Sequence, residues 1–223
     1  PRASPPAWWR ASRNTPAPNR IAIMRKFDAG SYRTMPWKNG GGVTTELAVH
    51  PDGAGLDDFA WRISSARVTA SGPFSHFGGV DRSLAVLDGG GLCLRIDGTR
   101  AETLTAGSAP CVFRGEQRIE AELPGGPIAD FNVMTRRALW MHTLEQMRLN
   151  GSASLARQAD LLFIYCASGT HVICSSANGP SVALDCGDAV LIERADNPQV
   201  RLSAPAARLY LVHLSRQDAQ NAR

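Results

Sequence analysis

The segment richest in ligand-binding side chains lies near the start of the chain. Residues 35–47 read MPWKNGGGVTTEL, so Trp37, Lys38 and Asn39 offer an aromatic face, a cation and an amide directly before three glycines, and Thr45 follows them. Consecutive glycines are useful where a chain turns tightly or passes close to another group. Two interpretations remain open: a loop that lines a pocket for a small polar or anionic ligand, and an ordinary hairpin with polar surface residues.

Two strand-like segments carry further polar groups on single faces. Side chains alternate across a strand, so Arg62 and Ser64 of WRISSARV share one face, and Asp130 and Asn132 of DFNVMTR share another. If the first face lines a barrel, its guanidinium needs a carboxylate partner or a ligand. On the second face, a carboxylate and an amide project together.

Metal-dependent and nucleophilic catalysis find little support in the sequence. Barrel metal sites use pairs of histidines two residues apart on one strand face, and no HxH pair is present. The GxSxG nucleophile elbow and the GxxxxGK[ST] phosphate loop are also absent. We predict no metal, no cofactor and no catalytic residue; the remaining acid–base candidates are Glu46, His76 and Asp130.

Short β-type runs separated by turn signals extend over most of the chain, and none shows a sustained helical period. Such spacing is typical of sandwiches and barrels. Gly89 and Gly169, and likewise Gly107 and Gly187, end similar apolar runs 80 positions apart, which suggests a duplicated β unit. We predict an all-β fold of two packed barrel or jelly-roll modules, residues 21–137 and 138–223, in one compact unit.

Charge and composition narrow the function classes. The 223 residues carry a formal charge of +4, but residues 1–20 contain four arginines and no acid, so the rest is formally neutral. A neutral body is a poor nucleic-acid binder. No apolar run approaches the roughly 18 residues of a membrane span. We expect residues 1–20 to be a disordered extension, the five cysteines to be thiols, and the protein to be cytoplasmic.

The four segments PWKNGGGVTTEL, WRISSARV, GPFSHFGGVDR and DFNVMTRR, in this order, resemble the HutD/Ves family of bacterial double-cupin proteins. The resemblance extends from about Met24 to the C-terminus. It implies a bicupin fold and a non-enzymatic protein associated with histidine utilisation. It also implies binding of a small anionic metabolite, similar to formylglutamate or urocanate, that modulates this pathway.

The resemblance also assigns a ligand pocket to ten positions: Trp37, Lys38, Asn39, Thr45, Arg62, Ser64, Phe77, Arg82, Asp130 and Asn132. Where the family usually has Phe-Pro-Gly, this chain has Phe77, Gly78 and Gly79. Two alternatives stay open. One is a metal-independent cupin enzyme, an isomerase or hydrolase of a small carboxylic acid; the other is an interaction scaffold with a filled barrel. Exposed strand edges make a homodimer a further prediction.

Overall fold

A computed structural model describes residues 22–156, 159–176, 179–193 and 199–217. Within these ranges the chain forms one short 3-10 turn, Ala29–Ser31, and seventeen strands. The strands are β1 (Met24–Phe27), β2 (Arg33–Pro36), β3 (Gly42–His50), β4 (Trp61–Val68), β5 (Gly72–Pro73), β6 (Val80–Gly89), β7 (Leu92–Ile96), β8 (Arg100–Leu104), β9 (Cys111–Arg114), β10 (Ile119–Glu122), β11 (Ile128–Arg136), β12 (Trp140–Ala156), β13 (Leu161–Ser168), β14 (Val172–Ser176), β15 (Ser181–Leu184), β16 (Ala189–Glu193) and β17 (Gln199–Arg216). No helix in these ranges is long and apolar enough to cross a membrane.

The strands form two barrels. The first barrel packs a six-stranded sheet, in the order β2-β3-β4-β11-β6-β9, against a four-stranded sheet, β5-β10-β7-β8. The second is built from one sheet in the order β1-β16-β13-β17-β14-β15, with β12 also paired to β17. The predicted all-β architecture of two packed barrels is confirmed.

The two barrels share one connectivity. In the first, β6 pairs with β9 and β11, and β7 pairs with β8 and β10. In the second, β13 pairs with β16 and β17, and β14 pairs with β15 and β17. The long β17 therefore takes the places of both β10 and β11. Gly89 and Gly169, which suggested the repeat, both have positive φ where a strand turns back.

Three apolar clusters stabilise this arrangement. One fills the second barrel with Leu, Ile, Val and Cys side chains, including Leu162, Ile164 and Leu202, which are fully buried. Another lies between the barrels, where Phe131 of β11 stacks on Tyr165 and Tyr210 with ring centroids 5.2 and 5.4 Å apart. The third cluster lines the first barrel. Because the six-stranded sheet contacts a cluster on each face, its central strands are buried on both sides.

The first strand belongs to the second barrel. β1 pairs with β16, and Lys26 lies 3.0 Å from the carboxylate of Asp188. The other oxygen of that carboxylate accepts a hydrogen bond from the backbone N–H of Ala29, at 2.9 Å. Residues 24–27 thus join the second sheet although they lie within the predicted range 21–137. That module boundary stays a prediction, and residues 1–20 lie outside the described residues.

A half-buried histidine bridges the barrels. His142 of β12 lies between the hydroxyl groups of Thr135 and Ser83, with Nδ1 2.8 Å from Thr135 Oγ1 and Nε2 2.9 Å from Ser83 Oγ. Burial lowers the pKa of His142 to about 4. The neutral imidazole therefore holds β12 against β6 and β11.

This bridge predicts acid sensitivity. The folded-state pKa of His142 lies below its ordinary value of about 6.5, so its contribution to stability is lost as the pH falls from about 6.5 to about 4. His142→Gln retains a polar side chain that does not titrate. In urea titrations we measure the unfolding free energy of the wild type minus that of the variant. We expect this difference to be roughly 2–3 kcal/mol smaller at pH 4 than at pH 7.5. A difference that stays constant with pH would contradict this role.

Candidate functional site

The interior face of the first barrel carries an unusual group of polar side chains. Pairing register decides this: Asn132 of β11 lies opposite Ser64 of β4, and the next interior position, Met134, lies opposite both Arg62 and Arg82. The polar residues that share this face and are buried are Arg62, Ser64, Arg82 and Asp130. The alternation predicted for β4 and β11 is confirmed.

Two β-bulges adjust which side chains enter the interior. In β3, the register shifts between Glu46 and Ala48, so that Glu46 lies opposite Ser64 and points inward, while Leu47 and Ala48 join the cluster between the barrels. In β11, a shift relative to β6 between Ala129 and Asp130 places Asp130 opposite Val86. A bulge re-aims side chains locally in this way.

One interior arginine has a direct ionic partner. Arg62 Nε donates to Glu46 Oε2 at 2.7 Å, and Arg62 Nη1 lies 3.4 Å from Ser64 Oγ. The two charged side chains are only 6% and 15% exposed, so the pair is desolvated as well as close. Arg62 is thereby neutralised within the barrel.

The second interior arginine is held differently. The guanidinium of Arg82 lies 5.0 Å from the ring centroid of Phe113, 5.3 Å from that of Phe74 and 5.7 Å from that of Phe77. Its Nη1 has one weak acceptor, the carbonyl oxygen of Ser75 at 3.4 Å, and its buried Nε has no hydrogen-bond partner in the part of the chain that the structure describes. Burial lowers the pKa of Arg82 to about 10. Arg82 is therefore a cation among aromatic rings with unused donor capacity.

The carboxyl group of Asp130 is the anion that influences Arg82. Its Oδ1 accepts a hydrogen bond from the backbone N–H of Ala66 at 2.9 Å. Among the described residues no ion pair within 4.0 Å joins Asp130 to Arg82. Burial raises the pKa of Asp130 to about 7, despite the opposing effects of the Ala66 N–H and the Arg82 charge. The neighbouring Asn132 has a buried Oδ1 without a partner.

The glycine-rich turn lies at the rim of the barrel. A Cβ on Gly42 would lie 2.7 Å from the carbonyl oxygen of Arg67 and 3.0 Å from the Trp37 ring, so the close approach expected of these glycines is confirmed. Trp37 packs against the first-barrel cluster and its Nε1 donates to Thr44 Oγ1 at 2.8 Å. This contact fixes the indole ring beside the inward face of β3.

The structure separates the ten predicted residues into two groups. On or against the interior are Trp37, Arg62, Ser64, Phe77, Arg82, Asp130 and Asn132. Lys38 and Asn39 are exposed in the turn, where Asn39 Oδ1 accepts the N–H of Gly41 at 3.0 Å. Thr45 lies opposite Ser65, on the other face of β3 from Glu46. His76 is also exposed.

Sequence reasoning missed two aromatic residues that surround Arg82. Phe74 lies in the same GPFSHFGGVDR segment as Phe77, and Phe113 lies opposite Arg82 in the register of β9. Phe74 and Phe77 both lie shortly before Arg82 in the sequence, and this proximity could have indicated that they contact it. Phe113 was not accessible in this way, because its position depends on a pairing 31 residues away.

A cleft of about 1080 Å³ lies between the barrels, and its lining includes His50, Trp61, Trp140, Arg25 and Arg216. Arg25 there pairs with Asp52 at 3.0 Å, and both side chains are well exposed to solvent. Trp61 Nε1 in the cleft lacks a hydrogen-bond partner among the described residues, as do Arg82 Nε and Asn132 Oδ1 of the first barrel. The first-barrel interior is the stronger candidate, because it combines an unpaired charged donor with an unpaired acceptor, and buried polar atoms are normally satisfied. In the described residues, no three His, Cys, Asp or Glu side chains are grouped to hold a metal ion.

Comparison with known proteins decides the family. The HutD family profile matches residues 29–210. The chain belongs to the HutD family. It is 36% identical over 176 residues to an uncharacterized 21.2 kDa protein in the hutC 3' region of Pseudomonas putida, covering 79% of this chain and 90% of that protein. It is also 38% identical over 115 residues to protein Ves of Cronobacter sakazakii, covering 51% and 61% of the two chains.

Solved structures agree with the double-barrel architecture. PA5104 of Pseudomonas aeruginosa, a conserved protein of unknown function, superposes with a TM-score of 0.81 at 34% identity, covering 86% of this chain and 99% of that one. HutD of Pseudomonas fluorescens, in a formate condition, gives 0.73 at 28% identity, with 88% and 100% covered. YhhW of Escherichia coli, 12% identical with a TM-score of 0.62 and 86% and 97% covered, shares the fold. The predicted bicupin fold is confirmed.

The buried carboxyl of Asp130 in this HutD-family protein predicts a stability effect. Its folded-state pKa of about 7 exceeds the ordinary value of 3.8. Its stabilising contribution therefore falls as the pH rises from the ordinary pKa to about 7, and it stays low at higher pH. Asp130→Asn keeps an oxygen for the Ala66 N–H but carries no charge. We expect the unfolding free energy of the variant, relative to wild type, to rise by roughly 2–4 kcal/mol between pH 4 and 8 in urea titrations. Parallel pH profiles would show that Asp130 is not perturbed.

Proposed function

We propose that the first barrel binds a small carboxylic acid and that the protein acts as a non-enzymatic binder. The observation that carries this proposal is the unused donor capacity of Arg82, which is 5% exposed and has a buried Nε without an acceptor. Guanidinium groups bind carboxylates through paired N–H···O bonds. An incoming carboxylate would supply the acceptor that Arg82 lacks.

A second feature narrows the chemical class of the ligand. Asn132 Oδ1 is a buried acceptor without a donor, on the same interior face as Asp130. A ligand that satisfies both residues carries a carboxylate and, nearby, an N–H or O–H group. Formylglutamate and urocanate each combine these two features. The aromatic rings of Phe74, Phe77 and Phe113 around Arg82 would supply the apolar wall that small-molecule sites usually have.

The biological setting follows from the family. A relative with 36% identity lies in the hutC 3' region, which associates this family with histidine utilisation. We propose that binding of such an acid in the cytoplasm modulates flux through histidine utilisation. In this view the protein senses a pathway acid rather than converting it.

One observation favours a second candidate function. The pKa of Asp130 is raised to about 7, the range in which a carboxyl group can exchange protons with a substrate at physiological pH. A metal-independent isomerase or hydrolase of the same acid would use Asp130 as its general base. Binding without product would exclude this alternative.

Isothermal titration calorimetry with N-formyl-L-glutamate and with urocanate tests the proposal. Loss of a buried charge partner typically costs about 2–5 kcal/mol, so Arg82→Gln should weaken binding at least about 30-fold. Lys38→Ala is the matched control; because Lys38 is exposed in the turn, affinity should change less than about twofold.

Three results would be decisive. Loss of binding in Lys38→Ala but not in Arg82→Gln would move the site to the glycine-rich turn. No binding of either acid to wild type at millimolar concentration would overturn the proposal. Product detected by NMR in the same samples would favour the enzymatic alternative.

A further inference from the structure

We propose that the first barrel binds its carboxylate together with a proton, and that Asp130 is the group that takes up this proton. The inference rests on the proposed function, since it concerns the same site. It adds a regulatory property, because ligand affinity then depends on the pH of the surroundings.

Charged and titratable residues occupy several inward-facing positions of the barrel. By register these are Arg33 of β2, Glu46 of β3, Arg62 of β4, Arg82 of β6, Arg100 and Glu102 of β8, Cys111 of β9 and Asp130 of β11. Arg33 is exposed at the edge strand. Glu46 and Arg62 neutralise each other at 2.7 Å. Glu102 is only partly buried and lies on β8, the outer strand of the four-stranded sheet. Among the described side chains on these faces, Arg82 and Asp130 are then the two buried charged groups that form no ion pair within 4.0 Å.

Geometry couples these two charges. Asp130 and Arg82 share the interior face of neighbouring antiparallel strands, with Asp130 opposite Val86 and Arg82 opposite Met134. Leu84 and Met134, which lie between them on the two strands, are fully buried and Asn132 is half-buried, so water screens their interaction only weakly. In the protein without ligand, the ionised carboxylate of Asp130 is thus the nearest counter-charge that acts on Arg82, although among the described residues no ion pair joins them.

An incoming carboxylate changes this balance. When it binds Arg82, it adds negative charge beside a buried carboxylate, and an uncompensated buried charge is strongly unfavourable. Protonation of Asp130 removes one of these negative charges. The proton comes from solvent and binds to a carboxylate oxygen, while Oδ1 continues to accept the Ala66 N–H. Burial has already raised the pKa of Asp130 to about 7, so this step needs only a modest further rise.

The sign of the pH effect follows from linkage. Below about pH 7 the free protein already carries the proton, and binding takes up none. Above pH 7 the bound state carries more protons than the free state, so affinity falls by up to tenfold per pH unit. N-formyl-L-glutamate is a suitable probe because its carboxyl groups stay ionised throughout this range.

The test is calorimetric titration with N-formyl-L-glutamate between pH 6 and 9, repeated at pH 8.5 in buffers of different ionisation enthalpy. We expect wild type to take up between about half and one proton per ligand at pH 8.5, and none at pH 6. Asp130→Asn should take up none, bind with the same affinity at every pH, and exceed wild type at least about tenfold at pH 8.5. Cys111→Ala, which removes a titratable interior side chain of β9, the strand that pairs with β6, should keep the wild-type slope.

The outcomes separate the two proposals. Absence of binding to wild type and to Asp130→Asn at every pH would overturn both. Binding that depends on Arg82 but takes up no proton would overturn this inference alone. So would a wild-type slope that persists in Asp130→Asn, or a folded Asp130→Asn that no longer binds, since the carboxylate would then serve another purpose.

Discussion

Two buried charges in the first barrel, Arg82 and Asp130, form no ion pair within 4.0 Å among the described residues, although each has a hydrogen bond with a backbone group. The candidate site depends on how the interior accommodates these two charges. A desolvated guanidinium is costly unless hydrogen bonds and opposite charge compensate it. The aromatic rings around Arg82 offer only partial compensation through cation–π contacts. Glu46 and Arg62, by contrast, show that the same interior can form a close ion pair. The open donor of Arg82 is thus a local property of its position on β6.

The interiors of the two barrels differ in the chemistry of their side chains. The second has an interior of apolar side chains packed against one another, whereas the first admits charged and amide groups. The second barrel also contacts β6, the strand of Arg82. Tyr210 donates its O–H to the carbonyl oxygen of Val86 at 3.2 Å, and Arg208 donates to that of Leu87 at 2.7 Å. His142 adds its contact with Ser83. A filled barrel thereby positions the strand that carries the charge.

The local sequence pattern was sufficient to predict the fold and to assign side chains to the two faces of the central strands. Alternation placed Arg62 with Ser64 and Asp130 with Asn132 because both strands are regular where these residues lie. It was insufficient where placement depends on distant pairing. The union of β1 with β16 joins residues far apart in sequence, and a bulge at Leu47 shifts β3 by one position. A single-residue slip reverses every following side chain.

The exposed position of Lys38 has a related cause. A turn of glycines allows many directions for the residues before it, so residue type alone does not show which of them enters the barrel. In the structure the Trp37 ring takes the inward place against Gly42, and the chain then turns through Gly40 at positive φ. The cation of the candidate site is therefore found on a regular strand, where neighbouring strands fix its direction.

The carboxyl group of Asp130 is not explained by its hydrogen bond alone. An asparagine at this position would accept the same N–H of Ala66 without the desolvation that raises the pKa of the aspartate. Nor is the carboxylate a close partner of Arg82, since no ion pair joins them among the described residues. What an aspartate provides and an asparagine does not is a charge that can be removed. If a carboxylate binds Arg82 as proposed, that property lets the interior accommodate a second anion.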